Sequence, residues 1–193
     1  MGVTALPQSS QIQHWDARNL ASLELIIPFC GTLKLSSHDQ EKIHLSYRAE
    51  GEYQEHMGIH TTHEAQHMEL REFRNPLLLS ESDKLAAHKI IASELELTVP
   101  TRFIVSLQMK NGRMHIQGRF KRLRVQLEEG SGKLQLEQTP GEMQTARASV
   151  DLYHSQMFVR ALTPKRSFDC GDADHADQFL IHSQSGTIRC YPN

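Results

Sequence analysis

The sequence has few cysteines, and their number argues against two common kinds of small domain. Cys30, Cys170 and Cys190 are the 3 thiols of the chain, and no two of them form a CxxC pair. An odd count without that spacing argues against a disulfide framework and against a zinc ribbon. Because free cysteines commonly pack as small apolar side chains, we expect buried free thiols.

Aromatic residues and net charge are also scarce. Aromatics make up 6% of the chain and hydrophobic residues 38%, which is low for a compact α/β enzyme. A repetitive β-structure tolerates such a composition, because each coil buries only a thin row of aliphatic side chains. The formal charge of −2 gives no global field that would attract nucleic acid or an anionic membrane.

Long apolar runs are absent. The first apolar run, residues 23–29, contains Glu24 and Pro28 and is too short to span a bilayer. Residues 1–10 lack the basic and apolar regions of a signal peptide. The sequence therefore predicts no membrane insertion and a cytoplasmic chain, or an exported chain if a leader has been removed.

Residues 95–152 carry an internal repeat that predicts the architecture. The segment Gly112–Ile116 returns as Gly132–Leu136, and Leu123–Leu127 is partly echoed by Met143–Thr145. A step of about 20 residues lies in the range typical of stacked coils. Apolar and polar residues alternate within each segment, as in a half-buried strand. We predict an all-β fold, a single-chain β-solenoid of parallel β-helix type with short strands.

The same alternation assigns side chains to faces. A step of about 20 residues places Arg113 over Lys133 on the outer face, and it likewise places Arg122 over Glu142. Apolar members of the pattern should point inward: Met114, Ile116, Leu123, Val125, Leu127, Leu134 and Leu136. Glycines are expected at the corners, where a positive φ is useful: Gly112, Gly118, Gly130, Gly132 and Gly141.

The rest of the chain is predicted to belong to the same domain. Residues 1–22 lack a period and are expected to form a polar lead-in with Trp15 as its anchor, followed by one solenoid domain over residues 23–193. Residues 91–99 alternate strictly before Pro100, which predicts a strand. Cys170 and Cys190 lie one repeat step apart, so we expect them in stacked positions.

Residues 51–73 are compatible with a helix or with a hairpin, and they carry the sharpest candidate site. His56, His60, His63 and His67 recur at i, i+4, i+7 and i+11, which on a helix would form one metal-binding edge. A helix with histidines in place of leucines has little to bury, so two strands that turn near His63 are favoured. Across such a hairpin His60 and His67 could share Zn²⁺. The plain alternative is a solvated polar strand.

The run Val99-Pro-x-x-Phe103-x-Val-x-Leu107 leads into Gly-x-apolar-x-apolar units at Gly112, Gly132 and Gly186. This arrangement resembles the bacterial "putative adhesin" family, which is also described as an auto-transporter adhesin head type. The resemblance covers residues 23–190. It implies a right-handed single-chain β-solenoid with no catalytic residues to transfer.

Three other motifs have a plainer explanation. Asp172, Asp174 and Asp177 suit Ca²⁺, but the loop departs from the EF-hand pattern, so a solvated acidic loop is favoured. Residues 130–133 lack the flanking residues of a Walker A motif and are predicted to form a solenoid corner. A basic stretch without neighbouring exposed aromatics predicts a solvated face and no nucleic-acid partner: Arg119, Lys121, Arg122 and Arg124.

Catalytic motifs are equally sparse. The chain has no Gly-x-Ser-x-Gly elbow. Glu94 with Glu96, or Glu128 with Glu129, could act as paired acids in a sugar-cleaving cleft. Sugar-active β-helices usually line their groove with aromatics, which this chain mostly lacks.

The sequence therefore predicts a non-enzymatic binding or scaffold module of adhesin-like type, without a cofactor. Solenoids offer long faces and terminal strands suited to protein partners, glycans or self-association into a homo-oligomer. Two alternatives remain open, a carbohydrate-active enzyme on the same scaffold and a metal-binding protein that uses His56, His60, His63 and His67.

Overall fold

Strands make up almost all of the regular structure. The structure is a computed structural model, and it describes residues 8–50, 57–74, 92–164, 167–171 and 177–192. No helix occurs among these residues, and hence none that is long and apolar enough to cross a membrane. The all-β prediction is confirmed. The strands are β1 (Gln8–Asp16), β2 (Ser22–Ile27), β3 (Thr32–His38), β4 (Lys42–Glu50), β5 (Met57–Glu64), β6 (His67–Arg74), β7 (Ala92–Pro100), β8 (Ile104–Gly118), β9 (Arg122–Glu137), β10 (Gly141–Ser155), β11 (Phe158–Leu162), β12 (Ser167–Cys170), β13 (Gln178–Ser185) and β14 (Ile188–Pro192).

The strands join in one mixed sheet. Its main order is β1-β4-β7-β3-β8-β9-β10-β13-β11-β12, and β14 pairs with β10 while β2 links β8 to the β5–β6 hairpin. Strands β8, β9 and β10 pair in parallel through the centre. Antiparallel pairs occur at the margins, as in β1–β4 and β11–β12. Because parallel and antiparallel pairs are mixed in this sheet, the predicted solenoid of parallel β-helix type is not confirmed.

Strands β8 and β10 each have two limbs that pair with different neighbours on the side away from β9, which pairs with both of them along its whole length. The first limb of β8 pairs with β2 and its second limb pairs with β3. Strand β10 is divided in the same way between β13 and β14. The inward side chains of both limbs belong to one hydrophobic core.

The step between stacked positions is 18 residues, which corrects the predicted step of about 20. Val105 pairs with Leu123, and Leu123 pairs with Gly141. Arg113 consequently lies beside Ser131 rather than Lys133, and it is Arg124, not Arg122, that lies beside Glu142. A shift of two residues keeps every side chain on its face, so alternation alone could not distinguish the two steps.

The predicted faces are confirmed. The apolar side chains of β8 and β9 assigned to the interior are all buried: Met114, Ile116, Leu123, Val125, Leu127, Leu134 and Leu136. Their neighbours Arg122, Arg124 and Lys133 are exposed. Aliphatic side chains on alternate positions of every rung thus fill the core, which explains how a chain so poor in aromatics has a continuous interior.

A column of small residues marks the bend between the two limbs. This corner column consists of Gly31, Gly112, Gly130, Ala148 and Gly186, which follow one another from rung to rung. Gly112 and Gly130 have φ of 134° and 118°, a region open mainly to glycine. A Cβ on Gly130 would lie 2.0 Å from the carbonyl oxygen of Gly112. Gly132 and Gly141, also predicted as corners, are not among the residues with positive φ.

Other segments agree with the sequence in part. Residues 8–16 of the predicted lead-in form β1, which pairs with β4. No side chain that the structure describes in β1 is fully buried, so this strand lacks the apolar alternation that would reveal it. The hairpin over residues 51–73 is confirmed for its described part, with a turn at Ala65–Gln66, and β7 is the strand predicted before Pro100.

Replacing Gly130 with Ala should destabilise the fold far more than replacing Gly132. The Gly130 change forces a side chain into a strained backbone region and against the Gly112 carbonyl. The free energy of unfolding should fall by at least about 2 kcal/mol. At Gly132 the new Cβ would lie 3.3 Å from the flexible end of Leu134, and the net effect should stay within about 1 kcal/mol. Urea unfolding followed by circular dichroism measures both. Equal losses of unfolding free energy in the two variants would contradict the assignment of Gly130, rather than Gly132, to the corner column.

Candidate functional site

The outward face of the parallel strands is covered by pairs of opposite charge. Nζ of Lys34 lies 2.6 Å from a carboxylate oxygen of Glu94 and 2.6 Å from one of Glu96. On later rungs Arg124 pairs with Glu142 at 3.3 Å. Exposed ion pairs each contribute about 1 kcal/mol or less, so these pairs neutralise the face more than they stabilise it.

Three of the four glutamates proposed as catalytic pairs are engaged in ion pairs. Glu94 and Glu96 bind the same ammonium group, and their hydrogen bonds raise the pKa of Lys34 to about 12. Glu129 forms an ion pair with Arg147. Glu128 lines a groove of about 590 Å³, and it is the one carboxylate among the described residues of that lining. Two carboxyl groups flank the scissile bond in most glycosidases, whereas Glu94 and Glu96 are both engaged by Lys34 and Glu129 is engaged by Arg147.

The structure does not bring the described histidines of the β5–β6 hairpin together. His60 lies opposite Arg71 and His67 lies opposite Glu64, so about four residues, or about 13 Å of strand, separate their positions. His63 lies opposite Met68, on the other face of the hairpin. His67 instead contacts Ser22 Oγ at 2.9 Å through Nδ1. His56 lies outside the described residues.

The other sequence motifs are solvated where the structure describes them. Asp172 and Asp174 lie outside the described residues, so the acidic loop is represented only by Asp177. The four residues of the basic stretch, Arg119, Lys121, Arg122 and Arg124, are exposed. The depression beside Arg122 and Arg124 has no aromatic side chain among its described lining residues, which leaves no stacking platform for bases.

The clearest site on the surface is a cavity beside Trp15, the single tryptophan of the chain. The end of β1 and the start of β4 build it, because their antiparallel register places Trp15 beside Ile43. Trp15 packs one side against the core and lines the cavity with the other. The cavity has a volume of about 560 Å³, within the usual range for small-ligand sites. We call it the Trp15 cavity; its lining residues are His14, Trp15, Asp16, Arg18, Glu41, Lys42 and His44.

Two histidines form one wall of the Trp15 cavity. His14 and His44 face each other across the strands, with 2.7 Å between their Nδ1 atoms and their rings at an edge-to-face angle. At that distance one nitrogen donates and the other accepts, so at least one ring is neutral. Burial, and secondly the positive charge of a protonated His14, lower the pKa of His44. The wall therefore offers an aromatic surface with polar edges.

Two arginines hold the carboxylates of the cavity in their ionised form. Nε of Arg18 donates to both oxygens of Asp16 at 3.0 and 2.9 Å, and this hydrogen bonding lowers the pKa of Asp16 to about 2. Arg102 donates from Nε to both oxygens of Glu41 at 3.1 and 3.0 Å and lowers the pKa of that carboxyl. These carboxylates are hydrogen-bond acceptors, and neither has the raised pKa of a general acid.

A buried carboxyl that sequence reasoning missed lies inside the fold. Glu72 is 3% exposed and accepts hydrogen bonds from the Tyr47 hydroxyl at 2.9 Å and the Phe29 backbone N–H at 2.8 Å. Burial raises its pKa in spite of these donors. Perturbed carboxyls often mark active sites, but Glu72 lines neither the Trp15 cavity nor the groove beside Glu128. We interpret it as a polar tie between strands.

The fold is similar to that of a solved protein, whereas the sequence matches no known family. No protein-family model and no curated protein matches the chain. A "putative cell adhesion protein" from Clostridium sporogenes has a TM-score of 0.57 and 11% identity, over 97% of this chain and 100% of that one. A "putative adhesin" from Bacteroides fragilis has a TM-score of 0.35 and 9% identity, over 96% and 97% of the two chains. The first likeness shows a shared fold, and the second is too weak to carry an argument.

Glu72→Gln should make stability less dependent on pH. Because the folded state holds the Glu72 proton more tightly than the unfolded chain, whose pKa is near 4.5, the wild-type protein must lose stability as pH rises from that value through the raised folded pKa. The slope can reach about 1.4 kcal/mol per pH unit. The glutamine keeps a polar group in place without an ionisable proton. The unfolding free energy of the variant should therefore change less with pH over this range. Urea midpoints from pH 4 to 8 measure the difference.

Glu69→Gln is the matched control, since Glu69 lies on the same strand but pairs with Arg71 at the surface. If the urea midpoints of the wild-type protein and the Glu72 variant change with pH in parallel, Glu72 does not titrate in this range.

Proposed function

We propose that the protein is a non-enzymatic binding module of adhesin-like type, built on a right-handed β-solenoid, and that the Trp15 cavity holds its ligand. The observation that carries this proposal is the position of the single tryptophan. A chain whose core is mostly aliphatic has its largest aromatic ring only partly buried, in a cavity among charged and histidine side chains. Rings with one polar edge are favoured where a surface binds another molecule.

The chemistry of the lining favours a ligand with an apolar face and several hydroxyl groups. The Trp15 ring provides an apolar surface, and the ionised Asp16 and Glu41 accept hydrogen bonds from hydroxyl groups. Lys42 and the histidines can donate in return. A sugar ring has this combination of an apolar face and a hydroxyl edge. We therefore propose a glycan as the ligand class.

Binding without turnover follows from the state of the carboxylates. A glycosidase needs one carboxyl that still carries a proton near neutral pH. Asp16 and Glu41 are each bound to an arginine that lowers their pKa, so neither is suited to donate that proton. The cavity supports recognition of a sugar better than cleavage of a glycosidic bond.

The fold supports the same proposal more broadly. Its parallel strands stack in regular rungs with a polar outer face, and β1 ends the sheet next to the Trp15 cavity. A solenoid with its binding site at the first rung leaves the remaining length as a rigid spacer. An adhesin-like role requires the protein outside the cytoplasm, so fractionation of host cells is an independent check on it.

Trp15→Ala should weaken glycan binding at least tenfold, because the apolar half of the contact is lost. Since Trp15 is the only tryptophan, its fluorescence reports directly on the cavity, and a bound sugar should change its emission during titration. A glycan array selects the ligand, and chromatography of the incubated glycan should show no cleavage products.

Trp15→Phe guards against misfolding, and it should retain weaker binding. Ile12→Ala is the matched control, because Ile12 is 67% exposed on the same strand but does not line the cavity. A contrary result is a glycan that binds without changing Trp15 emission and binds the Trp15 variants as tightly as the wild-type protein. That result would locate the site elsewhere. Release of cleaved products would favour the enzyme.

A further inference from the structure

Three potential metal ligands meet at the last strands of the chain, away from the Trp15 cavity. His154 lies near the end of β10, Cys170 is the last residue of β12, and Cys190 lies in β14. Strand β14 pairs with β10 so that Cys190 lies beside Leu152, and β12 pairs with β11 so that Cys170 lies beside Val159. The two cysteines are thus close, but not as stacked positions of neighbouring strands.

The distances between the three side chains suit one ion. Both Sγ atoms and a ring nitrogen of His154 all lie within 4.8 Å of one another. Nε2 of His154 is 3.3 Å from Sγ of Cys170. Ligands of a tetrahedral Zn²⁺ are about 3.3 to 3.8 Å apart, because each is about 2.0 to 2.3 Å from the ion. Small side-chain adjustments would place all three in its shell.

We propose that His154, Cys170 and Cys190 form a binding site for a divalent thiophilic metal, with Zn²⁺ the best fit. Two thiolates and one imidazole are ligands that such ions prefer over Mg²⁺ or Ca²⁺. Binding releases the two thiol protons to solvent, and the two thiolates then cancel the charge of the ion. The half-buried site therefore gains no net charge. A fourth position is left for water.

The surroundings of His154 support this role. The side chain is 2% exposed, and its Nδ1 is buried without a hydrogen-bond partner among the described residues. The Met157 backbone lies beside the ring without meeting hydrogen-bond geometry. Ligating histidines usually direct their second nitrogen to a carbonyl, as the Met157 carbonyl would allow.

Gly171 keeps the site open beside Cys170. Its φ is 93°, and a Cβ there would lie 2.5 Å from the Met157 carbonyl oxygen and 3.0 Å from Cε1 of His154. The close approach of this backbone holds the ring and Cys170 together. Cys170 and Cys190 are each only partly buried, so an ion can reach them from solvent.

The site can be tested with the reduced, tag-free full chain and cobalt as a probe. One equivalent of Co²⁺ should give a thiolate-to-metal charge-transfer band and the visible spectrum of tetrahedral cobalt, and Zn²⁺ should displace it. Cys170→Ser, Cys190→Ser and His154→Gln should each weaken binding by at least about 100-fold, since even residues that only orient ligands contribute 10- to 100-fold. Zn²⁺ should raise the melting temperature of the wild-type protein but not of these variants.

Cys30→Ala is the matched control, because Cys30 is a buried thiol outside the cluster and its loss should leave the cobalt spectrum unchanged. Circular dichroism verifies that each variant is folded. A folded wild-type protein that gives no thiolate band with Co²⁺ would overturn the proposal. A disulfide between Cys170 and Cys190 that resists treatment with a reductant would also overturn it. So would Co²⁺ binding that is unchanged in all three variants.

Discussion

The close contact between successive rungs at the corner column is the constraint on which the rest of the structure depends. The backbones of Gly112 and Gly130 approach so closely that no side chain fits between them. This contact fixes where each long strand bends and sets the step at 18 residues, as from Gly112 to Gly130. Once the step is fixed, the inward aliphatic side chains stack and the outward charges pair across rungs, as Arg124 does with Glu142.

Much of this fold could be predicted from the sequence, because alternation is a local signal. It identified the central strands, their buried faces and the β5–β6 hairpin. It could not give the step, since shifts of 18 and 20 residues leave the same side chains buried. Gly132 was taken for a corner because it opens the same sequence pattern as Gly112, whereas the residue that stacks on Gly112 is Gly130. Strand β1 was missed because none of its described side chains is fully buried.

The two candidate sites are less predictable, because distant segments build them. Trp15 and His44 meet only through the antiparallel register of β1 and β4, and nothing in the residues near Trp15 indicates that partner. His154 joins Cys170 and Cys190 through strands that pair in different ways. Spacing along the chain did not predict which residues meet. The regularly spaced His60, His63 and His67 lie apart on their hairpin, whereas the distant His154, Cys170 and Cys190 lie together.

Disulfide trapping on the outer face is the most direct test of the 18-residue register between β8 and β9. Arg113 lies beside Ser131 in the structure, at a separation typical of neighbouring strands, so cysteines at these two positions should form a disulfide. Cysteines at Arg113 and Lys133 would be about 8 Å apart between Cα atoms, beyond the reach of a disulfide. Peptide mapping after mild oxidation should show the first cross-link and not the second. The opposite result would contradict the 18-residue register.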